Sequence, residues 1–291
     1  MFKALAEYAM RGRLQAIAIA LIGSWLPFIS QAVLGLVTLR KGWQEGLIVT
    51  LWASLPAFVG LWMAKVSAPI ALASIVVFFI GYVGSCVLRS SVSWPFTLVA
   101  IAGVSALSAL AIVSSSSGVV EHVSAFFEKA MQGPDGATPQ EALDVVSSWN
   151  VVNVAGLIGN WVAITAIVGL LLARWWQALL YNPGGFRQEF HHLRLSPQIA
   201  VVCALIAVVC MAIGASYRLW SVLAGLPLLF AGLGLGHWLI ARFRLGTPVV
   251  VLLYIALPLI AFSAMILMVL ALIDSMLDVR NRLKNDSPPQ E

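Results

Sequence analysis

From Gln15 to Leu39 the chain runs twenty-five residues without a charge, and comparable apolar runs recur along its length. No other feature constrains the fold as much. The hydrocarbon core of a bilayer is about 30 Å thick, and roughly 20 apolar helical residues cross it. Backbone groups in lipid must bond within the protein, which leaves helices or a closed barrel. Long unbroken runs, not alternating segments of about ten residues, exclude the barrel. The chain is 61% hydrophobic and 10% charged. The predicted class is all-α, a polytopic transmembrane helical bundle in which the lipid bilayer is the first partner.

The apolar blocks are Leu14–Leu39, Gly46–Ala64, Ala68–Leu88, Phe96–Val113, Val151–Ala173, Ile199–Ser216, Leu219–Ala241 and Pro248–Ile273. The first and last are overlong and hold Pro27 and Pro258. Proline removes a backbone donor and kinks or breaks a helix. Counting broken helices, about eight to ten membrane segments are expected. The spans nearly use up the sequence, so residues 1–291 form a single integral membrane domain. Within it, 114–150 reads as an extracytoplasmic insert and 274–291 as a short polar tail. Lys3, Arg11 and Arg13 before an apolar stretch imitate a signal peptide. The run continues past any cleavage site and more spans follow, so it reads as a first membrane helix.

The net charge is +5, but the basic residues sit in short loops beside apolar runs. That is the positive-inside pattern and not a nucleic-acid surface. If the first run breaks near Pro27, then Lys3, Arg11, Arg13, Arg40, Lys41, Arg89, Arg174, Arg187, Arg194, Arg242 and Arg244 all face the cytoplasm. Lys65, Lys129 and Arg218 face outward. A hinge near Pro258 would bring Arg280, Arg282 and Lys284 inside, whereas a single crossing would leave them outside. Both arrangements stay open, with the charge balance favouring the hinge.

In the insert, Val119, Val123, Phe126, Phe127 and Met131 recur at helical spacing, which predicts an amphipathic interfacial helix. Gly133–Gly136 reads as a turn. Thr138, Pro139 and Glu141 form a capping-box pattern, and a helix from Pro139 running unbroken to Trp176 is expected. Arg174, Trp175 and Trp176 read as interfacial anchors. His191 and His192 fall in a polar loop that is either a coupling loop or a solvated basic connector.

Asn153, Gly156 and Asn160 share a helix face. They read either as hydrogen-bonding contacts between helices or as the wall of a small-molecule cavity, with Trp149 and Trp161 nearby. Gly232, Gly234 and Gly236 lack the strand–turn–helix context of a phosphate fingerprint and suit close helix approach. His237, which follows them, is either a ligand or proton-relay group or a helix-end residue meeting water. Nothing stands at metal-ligand spacing with it. Cys86, Cys203 and Cys210 lie inside apolar runs and read as packing residues. No metal or other cofactor is expected. No Ser/His/Asp or Cys/His set stands out, so the chain does not read as an enzyme.

Several residues together resemble the YybS-like family of bacterial inner-membrane proteins. A proline-broken start leads to Leu36-Val37-Thr38-Leu39-Arg40-Lys41-Gly42 and then Gly46. A long outer insert precedes the middle helix. The end reads Leu272-Ile273-Asp274-Ser275-Met276-Leu277-Asp278-Val279-Arg280-Asn281-Arg282-Leu283. The family usually closes on Gly-Leu-x-Asp-x-(aromatic)-x-Asp-Phe-Arg; here Ala271, Met276 and Val279 replace the Gly, the aromatic and the Phe. The family looks distantly like the substrate-binding S components of energy-coupling-factor transporters and like MreD-type rod-shape proteins. The resemblance implies a transporter-like helical fold in a bacterial inner membrane and supplies no substrate.

Asp274 and Asp278, four apart, share a face at the membrane edge. As a like-charge pair they are mildly unfavourable. By helical spacing Arg280 faces neither. They are either a solvated helix end or part of a structural lock, with Arg242 or Arg244 as the answering cations. The leading functional expectation is a small-molecule binding or transport-related subunit without its own energy source, since no Walker motif is present. The alternative is a non-transporting scaffold that docks other envelope proteins in the membrane.

Overall fold

The computed structural model describes residues 2–24, 28–63, 65–133, 139–260 and 262–285. Every regular element among them is helical. The first four helices are α1 (Phe2–Arg11), α2 (Arg13–Gly23), α3 (Ile29–Lys41) and α4 (Trp43–Trp62). Then come α5 (Ala68–Ser91), α6 (Trp94–Ser115), α7 (Val119–Met131) and α8 (Gln140–Ser147). The second half holds α9 (Val151–Tyr181), α10 (Gly185–His191), α11 (Pro197–Ile213), α12 (Arg218–Arg242), α13 (Thr247–Leu259), α14 (Ser263–Leu277) and α15 (Val279–Asn285).

Five helical stretches are long and apolar enough to cross a membrane: α4, α5, α6, α9 and Ala215–Arg242, which adds a short 3-10 turn before α12. The pair α13 and α14 makes a sixth if taken as one span, but it bends by 116°. The chain is thus an all-α, multi-pass membrane protein, and its long helices do not reach the eight to ten segments expected. The reason is length. The first apolar run divides into α2, of 11 residues, and α3, of 13. At ~1.5 Å per residue these reach only about 16 and 20 Å, short of the ~30 Å core.

The break in that run separates Gly23 from Ile29, and Phe28 before α3 is left-handed at φ 68°. Pro27 lies outside the described residues. The hydroxyl of Ser30 donates to the Ala20 carbonyl at 2.5 Å across the break. Arg13, at the start of α2, pairs with Glu45 in the first turn of α4, which follows α3 directly. The charged ends of α2 and α3 therefore meet at one end of the bundle. Arg89 joins them by donating to the Leu39 carbonyl at 2.5 Å, and Arg40 stacks over the Tyr181 ring at 4.1 Å. Arg174, Arg194, Arg242 and Arg280 contact the segments around them at this same basic end.

At the centre stands α9, packed on α3, α5, α6 and α12. It does not begin at Pro139. α8 stops at Ser147, and the Asn150 side chain restarts the chain by accepting from Val152 and Asn153 amides at 2.9 and 3.1 Å. The Asn153 side chain accepts from the Asn150 amide in return, which completes a capping box. Thr138 lies outside the described residues. The far end runs past Trp176 to Tyr181. Trp176 is no interfacial anchor: it is fully buried, while Trp175 meets Phe2 edge to face at 6.0 Å. The amphipathic α7 lies where the insert predicts it, with Val119 and Val123 buried.

Glycines set the closest helix contacts. A Cβ on Gly232 would stand 2.3 Å from the Leu267 carbonyl oxygen, so α12 and α14 touch backbone to backbone there. One on Gly234 would stand 2.7 Å from the Phe190 carbonyl oxygen.

Candidate functional site

Three groups of polar residues organise the bundle. The first joins α9 to α12 at the end away from the basic cluster. Asn153 donates to the Ser216 carbonyl at 3.3 Å, and Asn160 donates to the Leu219 carbonyl at 2.6 Å. The Trp220 indole returns a bond to the Val152 carbonyl at 2.9 Å. Gly156 lets the helices close, since a Cβ there would stand 2.8 Å from that of Leu219. Of the two readings of Asn153, Gly156 and Asn160, the contacts between helices account for these bonds. Trp161 faces a different space, a cavity of about 290 Å³ beside the α2–α3 break that also takes in Ser24, Ser30, Gln31 and Thr165. Gln31 is buried there and donates to the Val77 carbonyl at 2.8 Å.

The second group ties the C-terminal segment to the linker after α10. Asp278 ends α14 in a left-handed conformation at φ 52°, which Asp tolerates better than most residues. The chain therefore turns, and Arg280 folds back on Asp274, with Nε 3.0 Å from Oδ2. Both side chains are buried, at 6% and 1% residue exposure. Helical spacing, which has Arg280 facing neither aspartate, fails because the helix does not continue through Asp278. The guanidinium also donates to the carbonyls of His191 and of Leu193, the latter at 2.8 Å. Asp278 pairs with Arg194. The cations answering the two aspartates are thus Arg280 and Arg194, not Arg242 or Arg244. Arg242 instead donates to the Leu283 carbonyl at 3.3 Å. Burial pushes the Arg280 guanidinium below its ordinary pKa, and Asp274 opposes that shift.

The third group forms a cleft at the basic end. Two adjoining cavities of about 540 and 490 Å³ share Arg187, His191 and His237. The larger runs along α9 and reaches Tyr254 of α13; the smaller takes in Arg244. Among the described residues, no aspartate or glutamate lines either one. The acidic residue of α10, Glu189, is engaged elsewhere: Arg174 holds it through Nε at 2.8 Å and Nη2 at 2.5 Å. Arg187 lies two residues away on a different side of that helix. Among the described residues, Arg187 and Arg244 make no ion pair. Arg244 is held at φ 54°, an uncommon conformation for a residue with a side chain. His237 Nε2 lies 3.0 Å from the Tyr254 hydroxyl, and its ring meets Phe190 edge to face at 5.3 Å.

Of the expected site residues, only His237 belongs to this cleft. Arg187, His191, Arg244, Thr247 and Tyr254 are its further polar members. The sequence marks Arg187 and Arg244 as loop cations, but no spacing links positions 57 residues apart.

Desolvation pushes the His191 imidazole down to a pKa of about 4, and nearby Arg187, His237, Arg280 and His192 add to the shift. An unfolded histidine titrates near 6.5. Between these values the unfolded chain takes up a proton that the folded chain refuses. Stability from this group is full above pH 6.5 and is lost as the pH falls towards 4. His191→Gln should flatten that part of the melting-temperature profile in detergent, and an unchanged slope would refute the assignment. The substitution leaves the backbone carbonyl that receives Arg280.

The chain matches no protein-family model, no curated protein and no solved structure.

Proposed function

We propose that the chain is a bacterial inner-membrane protein that holds an anionic small molecule in the cleft at its basic end. It acts as a binding or transport-related subunit with no energy source of its own. The observation that carries this reading is the convergence of Arg187, Arg244, His191 and His237 on one largely apolar cleft with no carboxylate in its lining among the described residues. Arg187 and Arg244 are exposed at the mouth of the cleft, where their like charges have no answering carboxylate among the described residues, and a bound anion relieves their mutual repulsion. A concave, mostly apolar space with a few convergent polar groups is also the usual form of a ligand site. The likeness to YybS-like proteins, and through them to transporter S components, points the same way.

Native mass spectrometry of the full chain in mild detergent tests the reading. One anionic small molecule should be retained, and Arg187→Gln/Arg244→Gln should lose it. A stoichiometric protein partner with no retained small molecule would favour the scaffold instead.

The basic end is assigned to the cytoplasm by the positive-inside rule. In a background lacking Cys86, Cys203 and Cys210, Glu121→Cys on α7 should react with a membrane-impermeant thiol reagent in intact cells. Gln188→Cys on α10 should react only after permeabilisation. The opposite pattern would invert the topology.

A further inference from the structure

We infer that the ligand of the basic-end cleft is a membrane amphiphile with a phosphate head, its chain laid along α9 and its head between Arg187 and Arg244. The inference rests on the anion-binding reading above and adds the class of ligand.

The chain site comes from α9. Val168, Leu171, Leu172, Trp175 and Leu179 recur at helical spacing on one stripe and line the larger cavity. α9 is one of the two most enclosed spans, yet none of these five residues is buried. From Val168 to Leu179 the stripe extends about 16 Å at ~1.5 Å per residue, about half the hydrocarbon core. Phe2 covers one edge of Trp175, but a water-soluble anion would fill only the mouth and leave the open part of this half-buried stripe without an apolar partner.

The head site comes from the basic end. Two guanidinium groups offer forked donors that match phosphate oxygens. His191, neutral near pH 7, adds an imidazole donor without further repulsion. The route of entry comes from α13, which supplies Tyr254, Thr247 and Val250 to the cleft. None of the residues of α13 is buried, so this wall borders the bilayer itself. An amphiphile enters sideways from the leaflet and keeps its chain out of water.

The test measures saturable thermal stabilisation of the full chain in detergent by three probes. These are dioleoyl phosphatidic acid, dioleoyl phosphatidylcholine and glycerol 3-phosphate. Phosphatidic acid should stabilise the protein, and the other two should not at the same concentration. Arg187→Gln/Arg244→Gln should weaken half-saturation at least about tenfold, the loss expected for one charge-assisted hydrogen bond. Arg282→Gln, on the exposed side of α15, should leave it unchanged.

Equal stabilisation by phosphatidylcholine would mean ordinary lipid contact and overturn the inference. Equal stabilisation by glycerol 3-phosphate would leave the anion reading standing and remove the amphiphile. No response to any probe would remove both. If the double variant is not recovered, native mass spectrometry of the unmodified chain in mixed micelles decides. One phosphatidic acid retained in preference to phosphatidylcholine supports the inference, and equal retention overturns it.

Discussion

Replacing Arg280 by Gln should destabilise the protein by about 3–5 kcal/mol, the range for breaking a buried ion pair by removing one partner. The cost comes from what is left behind. Asp274, at 1% exposure, would keep a charge with no cation beside it. The carbonyls of His191 and Leu193 would lose their guanidinium donors as well. Asp274→Asn should damage the fold by a similar route. The double variant Asp274→Asn/Arg280→Gln should cost less than the two single changes together, because neither charge is then left alone. Arg282→Gln is the control: the side chain is exposed, and such changes usually stay within about 0.5 kcal/mol. Thermal unfolding in detergent compares the four. Equal small shifts for Arg280→Gln and Arg282→Gln would show that the C-terminal turn is a solvated end and not a lock.

This lock also separates what the sequence makes legible from what it hides. The pair of aspartates and the following arginines stand out at once, but their partners do not. Spacing arguments assume that a helix continues, and this helix turns at Asp278. A single left-handed residue brings Arg280 onto Asp274 and carries both to a linker more than eighty residues away in sequence. The long spans are legible because an uncharged run of bilayer length admits few other folds. The division of the first run is legible too, from its charged flanks and excessive length. The start of α9 is hidden by a stronger-looking signal. Pro139 and Glu141 suggest the helix origin, while the Asn150 and Asn153 side chains make the caps that set it. The basic-end cleft is the least legible part. Arg187 and Arg244 look like ordinary loop cations until α10 and the end of α12 bring them to one space.

The glycines of α12 give a second large effect, and its sign depends on position. In an ordinary helix interior, Gly→Ala stabilises by roughly 0.5–1 kcal/mol because alanine loses less backbone freedom. Gly103 of α6 is such a site, with nothing within 4 Å of an added Cβ. Gly232→Ala should do the reverse and cost about 1–3 kcal/mol or more, as overpacking does. Its Cβ would meet the Leu267 carbonyl oxygen at 2.3 Å and the carbonyl carbon at 2.7 Å. A backbone carbonyl inside α14 cannot swing aside as a side chain does, so the two helices must part. Gly225→Ala is the intermediate case. Its Cβ would meet the Met268 sulfur at 2.8 Å, and that flexible side chain can move. Melting temperatures in one detergent should therefore rank Gly103→Ala above the unmodified protein, Gly225→Ala near or below it, and Gly232→Ala lowest. Because α14 itself carries Asp274, forcing it from α12 at Gly232 also strains the Asp274–Arg280 contact. Gly232→Ala and Arg280→Gln should then combine to less than the sum of their separate costs, since each loosens the same seam. Strict additivity would place the two effects in independent parts of the bundle and break the proposed link between helix contact and lock.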